Sequence, residues 1–337
     1  MNDTTQTVSH EKSSFDRATV LLLDDEVRIV ETLRLILRPH YNVLTAINGM
    51  TALEILQSNT VHVIISDQRM PQMTGVEFLR RARVVSPASV RILLTGFSDL
   101  QAIIDSINDG EVFRFLNKPW SNTELLSVVQ EAVEVARQLD GAPVVKASLA
   151  DLAKFSHRDE EKLSASDLCT TGVVLVKTSN ATLFEQIKRT QPQSVVVLHA
   201  STLDDALDMF TQQRVTVFIA HFESVDAARE EALAFKLLKR DMPALLTIAL
   251  MHNADANEII ALINQGRLFR FGTLPCKAGQ VGFFIQSALR QSLAISATPQ
   301  LLGIQRAEAV DMREEGQKAR LFARIGSICK RWLGAAA

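Results

Sequence analysis

Three aspartates, a threonine and a lysine lie at the ends of short apolar runs in the first part of this 337-residue chain, where they follow or close ATVLLL, VHVIIS, VRILLT and VFRFL: Asp24, Asp25, Asp67, Thr95 and Lys118. Three carboxylates brought within about 5 Å repel one another by roughly 1 to 4 kcal/mol per pair, so such a cluster needs a bound cation. Oxygen ligands of this kind suit Mg²⁺. These residue types therefore indicate an acidic magnesium site with a lysine and a hydroxyl beside it.

Such a group of side chains supports one kind of chemistry, the attack of a carboxylate on a phosphoryl group. The metal ion and the lysine would neutralise charge on the phosphoryl oxygens, and Thr95 would donate its hydroxyl to one of them. A second interpretation of Asp24 and Asp25 is a helix N-cap with its neighbour, because a helical pattern follows Asp25. The occurrence of reactive side chains at four separate strand ends favours the phosphoryl site.

The elements that position these residues are short apolar runs that alternate with stretches of helical periodicity. Five strands that alternate with five helices predict an α/β fold, a mostly parallel sheet with helices on both faces. Ligands of such sheets bind outside the carboxyl ends of the strands, where the strand order reverses. The reactive residues are therefore expected to meet at that edge.

The same order of elements occurs a second time. INDGEVFRFLNKP, at residues 107–119, returns without a gap as INQGRLFRFGTLP at residues 263–275, and seven of the thirteen positions are identical. A fixed spacing of 156 residues predicts an internal duplication of the whole α/β unit.

These patterns divide the chain into five predicted regions. They are a disordered N-terminal tail (1–17), a first α/β domain (18–140), a partly helical connector (141–170), a second α/β domain (171–292) and a C-terminal tail (293–337).

The first domain resembles the receiver domain of bacterial two-component response regulators. The resemblance is carried by LLLDDE, IISDQRMPQMTGVEFL, ILLTG and FRFLNKPW, which occur in the family's order between about residues 18 and 140. It implies a flavodoxin-like (βα)5 sheet with strand order 2-1-3-4-5, and phosphorylation by a histidine kinase or phosphotransfer protein.

The resemblance also implies a role for each matching residue. Asp67 would be the phosphoacceptor, and Asp25, Asp67 and the backbone carbonyl of Arg69 would bind Mg²⁺ directly, with Asp24 acting through water. Lys118 would pair with the phosphoryl group. Thr95 and Phe115 would form a switch that alters the face made by helix 4, strand 5 and helix 5, and this face could also form a homodimer.

The second domain lacks the reactive residues. In the alignment of the two repeats, the positions of Asp24, Asp25, Asp67, Thr95 and Lys118 are taken by Lys177, Thr178, His221, Met251 and Leu274. Without a carboxylate there is neither a magnesium site nor a nucleophile, so this domain is predicted to be a pseudo-receiver with the same tandem fold. His221 and His252 near Glu223 leave open a metal or pH-sensing site.

The segment ARLFARIGSICKRWL, at residues 319–333, predicts a basic amphipathic helix. It has two interpretations: a terminal helix docked on its own domain or on a second protomer, or a segment that binds a membrane surface or a partner.

Composition narrows the function. With 36 basic and 38 acidic residues, no long run of like charge and no apolar run of 18 residues, the sequence predicts a cytoplasmic protein with no nucleic-acid partner.

The sequence contains no familiar output module, which favours a phosphorylation-controlled switch that acts by protein contact. Two alternatives stay open: a transcriptional or enzymatic regulator with an unrecognised output, and a phosphate sink in a phosphorelay. As an enzyme the chain would at most phosphorylate and dephosphorylate itself.

Overall fold

The structure is a computed structural model of the chain. It describes residues 17–96, 100–108, 112–139, 171–252, 256–276, 278–297, 321, 323–328 and 330–331. The predicted connector at 141–170, the N-terminal tail apart from Arg17, and much of the C-terminal tail lie outside the described residues.

The first unit consists of five strands and five helices in strict alternation. In chain order they are β1 (Thr19–Leu23), α1 (Val27–Leu37), β2 (Asn42–Ala46), α2 (Gly49–Ser58), β3 (Val63–Asp67), α3 (Gly75–Val85), β4 (Val90–Thr95), α4 (Leu100–Asn108), β5 (Arg114–Asn117) and α5 (Asn122–Leu139). All neighbouring strands are parallel and lie in the order β2-β1-β3-β4-β5. The predicted sheet and its strand order are confirmed.

Burial explains why these runs form strands and helices. The central strand β3 is buried at every position, as expected for a parallel strand covered on both faces. In α1 the buried residues Val30, Leu33 and Leu37 recur every three or four positions, so a single face meets the sheet. Helix α3 begins with a capping box, in which Thr74 and Glu77 satisfy each other's backbone N–H groups.

The second unit repeats this architecture. Its elements are β6 (Val173–Lys177), α6 (Ala181–Arg189), β7 (Val196–Ala200), α7 (Leu203–Gln212), β8 (Val217–Phe222), α8 (Val225–Asp241), β9 (Leu246–Met251), α9 (Ala256–Gly266), β10 (Arg270–Thr273) and α10 (Ala278–Ala297). The strands are parallel in the order β7-β6-β8-β9-β10, which is the order of the first sheet. The predicted second five-stranded parallel sheet is therefore present.

The two units share one hydrophobic core. Each sheet has a core of its own on one face, but the other faces join in a single cluster that contains Phe78 and Phe115 of the first unit and Phe218 and Phe271 of the second. Helix α4 lies against β10, and α9 lies against β5. In this arrangement the second unit covers the face formed by helix 4 and strand 5, so a second copy of the chain reaches that face only by displacing it.

The described part of the C-terminal helix docks on the second unit. Ile325 and Ile328 are buried in the shared cluster, and Arg324 forms ion pairs with Asp204 and Asp208 of α7. Of the two interpretations of this helix, the structure shows intramolecular docking, because these apolar side chains are covered by protein. Within the described ranges, no helix has the length and hydropathy needed to cross a bilayer.

Candidate functional site

The three carboxylates predicted to form a cluster meet at the carboxyl ends of β1 and β3. One oxygen from each of Asp24, Asp25 and Asp67 lies within 4.8 Å of the other two. Asp24 and Asp67 are buried, and Asp25 is the most accessible of the three. Backbone N–H groups hold the two buried carboxylates: Glu26 donates to Asp24 Oδ1 and Arg69 donates to Asp67 Oδ2, each at 2.9 Å.

Lys118 lies between the two buried carboxylates. Its Nζ is 2.6 Å from Asp67 Oδ1 and 3.1 Å from Asp24 Oδ2. Burial opposes its charge, but hydrogen bonds to Asp67 and Asp24 and their negative charges raise the pKa of Lys118 above its usual value. Burial also raises the pKa of Asp24, against the N–H of Glu26 and the ammonium of Lys118, which lower it.

A backbone hydrogen bond to the end of β4 positions Lys118. The N–H of Lys118 donates to the carbonyl of Thr95 at 2.8 Å, and the peptide bond from Lys118 to Pro119 is cis. Thr95 is fully buried at the end of β4, and its hydroxyl donates to the carbonyl of Gly96 at 3.3 Å. Phe115 is 2 % exposed and lies in the shared core. Thr95 thus follows Leu94, the strand partner of Asp67, and Phe115 lies on β5 two residues before Asn117, the strand partner of Thr95.

A residue that sequence reasoning missed also positions Asp67. A Cβ atom added to Gly75 would lie 2.2 Å from the carbonyl oxygen of Asp67 and 2.8 Å from Leu93 Cδ1. The N–H of Gly75 donates to the carbonyl of Gln68 at 3.0 Å, and this bond closes the loop after β3. Only glycine allows helix α3 to begin this close to the strand end. The signal was visible in the sequence as a glycine directly after the N-cap Thr74.

The residues present fit a magnesium ion. Three carboxylates and one lysine leave an excess of negative charge, and all the available ligand atoms are oxygens. Among the described residues this is the one cluster of three or more histidine, cysteine or acidic side chains with ligand atoms this close.

The equivalent position in the second unit differs by one residue from the sequence alignment. Leu23 pairs with Ala46 in the first sheet, and Lys177 pairs with Ala200 in the second. The N–H groups of Asp24 and Thr178 donate to these same alanine carbonyls. Thr178 therefore occupies the position of Asp24, Ser179 that of Asp25, and Lys177 that of Leu23.

The prediction for Lys177 was wrong because the alignment was shifted by one residue, and consecutive side chains of a strand point to opposite faces. Lys177 lies 2.7 Å from a carboxylate oxygen of Glu231 on α8, with its ammonium over the ring of Phe222. The register agrees with the sequence alignment for His221, Met251 and Leu274, since Met251 accepts from the N–H of Leu274 as Thr95 does from Lys118.

A hydrogen bond replaces the acidic cluster in the second unit. Thr178 Oγ1 and His221 Nδ1 are 2.9 Å apart, and Ser179 donates to Glu223. Burial lowers the pKa of His221, aided by His252 and Lys177 and opposed by Glu223. The rings of His221 and His252 are 5.8 Å apart, and within the described residues they belong to no cluster of three possible metal ligands.

Comparisons with known proteins find similar sequences for the first unit. Residues 20–130 match the family model described as the response regulator receiver domain. The hydrogenase transcriptional regulatory protein HoxA of Bradyrhizobium diazoefficiens is 40 % identical over 121 residues, which are 36 % of this chain and 25 % of that protein. HoxA of Cupriavidus necator is 41 % identical over 125 residues, 37 % of this chain and 26 % of that protein.

Similar chains are also found among solved structures. The signal receiver domain of an HD domain-containing protein from Pseudomonas fluorescens Pf-5 is 36 % identical, with a TM-score of 0.35, and the alignment covers 41 % of this chain and 96 % of that one. The chain spans about a quarter of the length of the two HoxA proteins. The expectation of no nucleic-acid partner gains no support, because these relatives are named as transcriptional regulators. Residues 20–130 of this chain are a response regulator receiver domain.

Proposed function

We propose that the chain is a two-component response regulator in which Asp67 accepts a phosphoryl group, with Mg²⁺, from a histidine kinase or phosphotransfer protein. The observation that carries this proposal is the position of Lys118, whose ammonium lies 2.6 Å from Asp67 inside a cluster of three carboxylates. An ammonium in this position is suited to neutralising charge that develops on phosphoryl oxygens.

The proposed step is a transfer between two side chains. A carboxylate oxygen of Asp67 forms a bond to phosphorus while the bond from phosphorus to the donor's histidine nitrogen breaks, and the nitrogen leaves with the electron pair. Asp24, Asp25, Asp67 and the carbonyl of Arg69 would hold Mg²⁺, which when bound neutralises phosphoryl charge. Lys118 orients and neutralises the transferred group, and the buried hydroxyl of Thr95 would turn from Gly96 to one of its oxygens.

In this proposal the second unit is a pseudo-receiver that no longer accepts phosphoryl groups. What supports it is the repeated strand order, together with a threonine, a serine, a histidine and a leucine at the positions of the acids and the lysine. The output would be a change in protein contacts at the face that carries Phe115. The cytoplasmic location stays a prediction.

A second candidate, transcriptional control, rests on the names of the HoxA relatives, which match the receiver portion of the chain. A gel shift with a salt titration distinguishes it, because binding to DNA phosphates weakens steeply as salt rises.

The test of the proposed function is incubation with acetyl phosphate and Mg²⁺ followed by intact-mass measurement. We expect one added phosphoryl group on the wild type and none on Asp67→Asn or on wild type with excess EDTA. The matched control His221→Asn, at the equivalent position of the second unit, should be phosphorylated like the wild type. Labelling of Asp67→Asn would refute the assignment.

A further inference from the structure

Some of the residues that recur in the two repeats contact each other across the interface between the two units. The side-chain amide of Asn264 on α9 accepts from the N–H of Phe115 at 3.2 Å and donates to its carbonyl at 2.9 Å. In the reciprocal contact, Asn108 on α4 accepts from the N–H of Phe271 at 3.0 Å. Asn108 and Asn264 are equivalent in the repeat, as are Phe115 and Phe271, so the interface is close to isologous.

Arginines complete this interface with a similar reciprocity, offset by one residue. Arg114 donates to the carbonyl of Asn264, and its repeat equivalent Arg270 donates to the carbonyl of Ile107. Arg267, which is 5 % exposed, donates to the carbonyl of Phe113 and lies over its ring at 3.7 Å. Contact between the units therefore explains three of the seven identities, those at Asn108 and Asn264, at Arg114 and Arg270, and at Phe115 and Phe271.

Arg114 and Arg267 share one carboxylate. Glu131 on α5 accepts from Arg114 at 2.8 Å and from Arg267 at 2.6 Å, so that one acid of the first unit is shared by an arginine from each unit. Buried guanidinium groups with a common carboxylate hold the two surfaces in one register.

The two hydrogen bonds between Asn264 and Phe115 lie at the edge of the receiver sheet. Strand β5 is the last strand of its sheet, and an edge strand leaves backbone groups without a strand partner. The Asn264 amide supplies both a donor and an acceptor to one residue of that edge. Lys118 follows three residues later, and its N–H is bonded to Thr95, so displacement of β5 displaces the ammonium from Asp67.

We propose that the second unit is the built-in partner of the receiver and that pairing and phosphorylation reinforce each other. This inference rests on the proposed function of Asp67. In the paired chain Phe115 and Thr95 are buried, and the ammonium of Lys118 lies 2.6 Å from Asp67, where it can neutralise a transferred phosphoryl group. Because coupling is reciprocal, a contact that stabilises this arrangement favours phosphorylation, and phosphorylation tightens the contact.

The test compares full-length variants for their initial rate of phosphorylation by acetyl phosphate with Mg²⁺, measured by intact mass. Asn264→Ala removes both bonds to Phe115. We expect its affinity for beryllofluoride with Mg²⁺ to fall about fivefold or more, and its initial rate of phosphorylation to be lower than that of the wild type. Asn264→Asp keeps the acceptor and loses the donor, and its rate of phosphorylation should lie between those of the wild type and Asn264→Ala. Gln212→Ala, an exposed position of the second unit away from the interface, should match the wild type.

Hydrogen exchange of the wild type gives a second measurement that needs no variant. Beryllofluoride with Mg²⁺ should slow exchange of the segment at 112–118 and of α9. Faster exchange there, or an Asn264→Ala chain that folds, loses protection at 112–118 and is phosphorylated at the wild-type rate, would overturn the coupling. Failure of the wild type to accept a phosphoryl group would instead refute the proposed function, and the coupling with it.

Discussion

The ammonium of Lys118 lies 2.6 Å from Asp67 Oδ1 and is also bonded to Asp24, so one cation holds two buried carboxylates. A cation at this position competes with a metal ion for the same oxygens, but it is also placed to stabilise charge on a transferred phosphoryl group.

These two roles predict opposite effects of Lys118→Ala. Loss of the ammonium should slow phosphorylation of Asp67 by acetyl phosphate roughly a hundredfold, the scale seen when one charge-stabilising donor is removed from an active site. Mg²⁺ binding, measured by calorimetry, should be retained or become tighter, because the competing cation is gone. Loss of Mg²⁺ binding together with an unchanged rate would contradict both roles.

Gly75→Ala tests how closely α3 must approach the phosphoacceptor strand. The added methyl group would lie 2.2 Å from the carbonyl oxygen of Asp67, and this contact must push the strand end and the helix apart. We expect a loss of about 3 kcal/mol in the free energy of unfolding by guanidinium titration, the upper range for overpacking. Phosphorylation should be lost with it.

The control for that substitution is Gly279→Ala. Nothing lies within 4 Å of a Cβ at Gly279, the second residue of α10, so alanine there should leave phosphorylation unchanged and should not lower the free energy of unfolding. Equal losses in both variants would show that the contact at Asp67 is not the cause.

The sequence patterns were sufficient for the strands and for the grouping of Asp24, Asp67 and Lys118, and the resemblance to receiver domains supplied the strand order. Apolar runs and helical periodicity are local signals, and parallel connection of such units leaves few topologies, in which strand ends meet at one edge. The alignment at Lys177 was wrong by one residue because the strand is short and apolar at successive positions, so its pattern does not fix the register. The pairing of that strand with β7 settled its register.

The interface between the units was not predictable in the same way. Asn108, Asn264, Arg114 and Arg270 were visible as identities of the repeat, but a periodicity shows which residues recur and not what they touch. Arg267 and Glu131 do not recur, since their repeat equivalents are Glu111 and Ser287. Arg267 and Glu131 meet only when the two folded units pack together, so no local sequence pattern predicts their contact.

Glu131→Gln tests the shared carboxylate. The substitution leaves the buried guanidinium groups of Arg114 and Arg267 without their common counter-charge, and we expect it to lower the free energy of unfolding by about 3 kcal/mol. Guanidinium titration monitored by circular dichroism measures this. Glu230→Gln, an exposed position on α8, should change stability by less than about 0.5 kcal/mol. Equal stabilities would show that the arginines do not depend on Glu131.

The docked C-terminal helix predicts a difference between two adjacent residues. Ile325 is fully buried, so Ile325→Ala should cost about 2 to 4 kcal/mol of unfolding free energy. Arg324 pairs with exposed aspartates of α7, so Arg324→Ala should cost at most about 1 kcal/mol. A negligible effect of Ile325→Ala in thermal and chemical unfolding would mean that the helix is not docked in solution.

Lys239 predicts a specific dependence of stability on pH. It is completely buried, and its ammonium contacts the carbonyls of Pro243 and Leu245. Burial, with the charge of Arg267, lowers the pKa of Lys239 from 10.5 to about 7. Between these two values the unfolded chain binds a proton that the folded chain does not, so the free energy of unfolding should rise with pH from about 7 towards 10 and the penalty should be fully present below 7.

The slope attributable to this residue is at most about 1.4 kcal/mol per pH unit. Guanidinium titrations at pH 7, 8 and 9 should therefore show a rise for the wild type that Lys239→Met lacks. Lys236→Met, one turn earlier on the same helix and less buried, should keep the wild-type slope. Parallel slopes for wild type and Lys239→Met would mean that the buried ammonium keeps its proton through this range, stabilised by the two carbonyls.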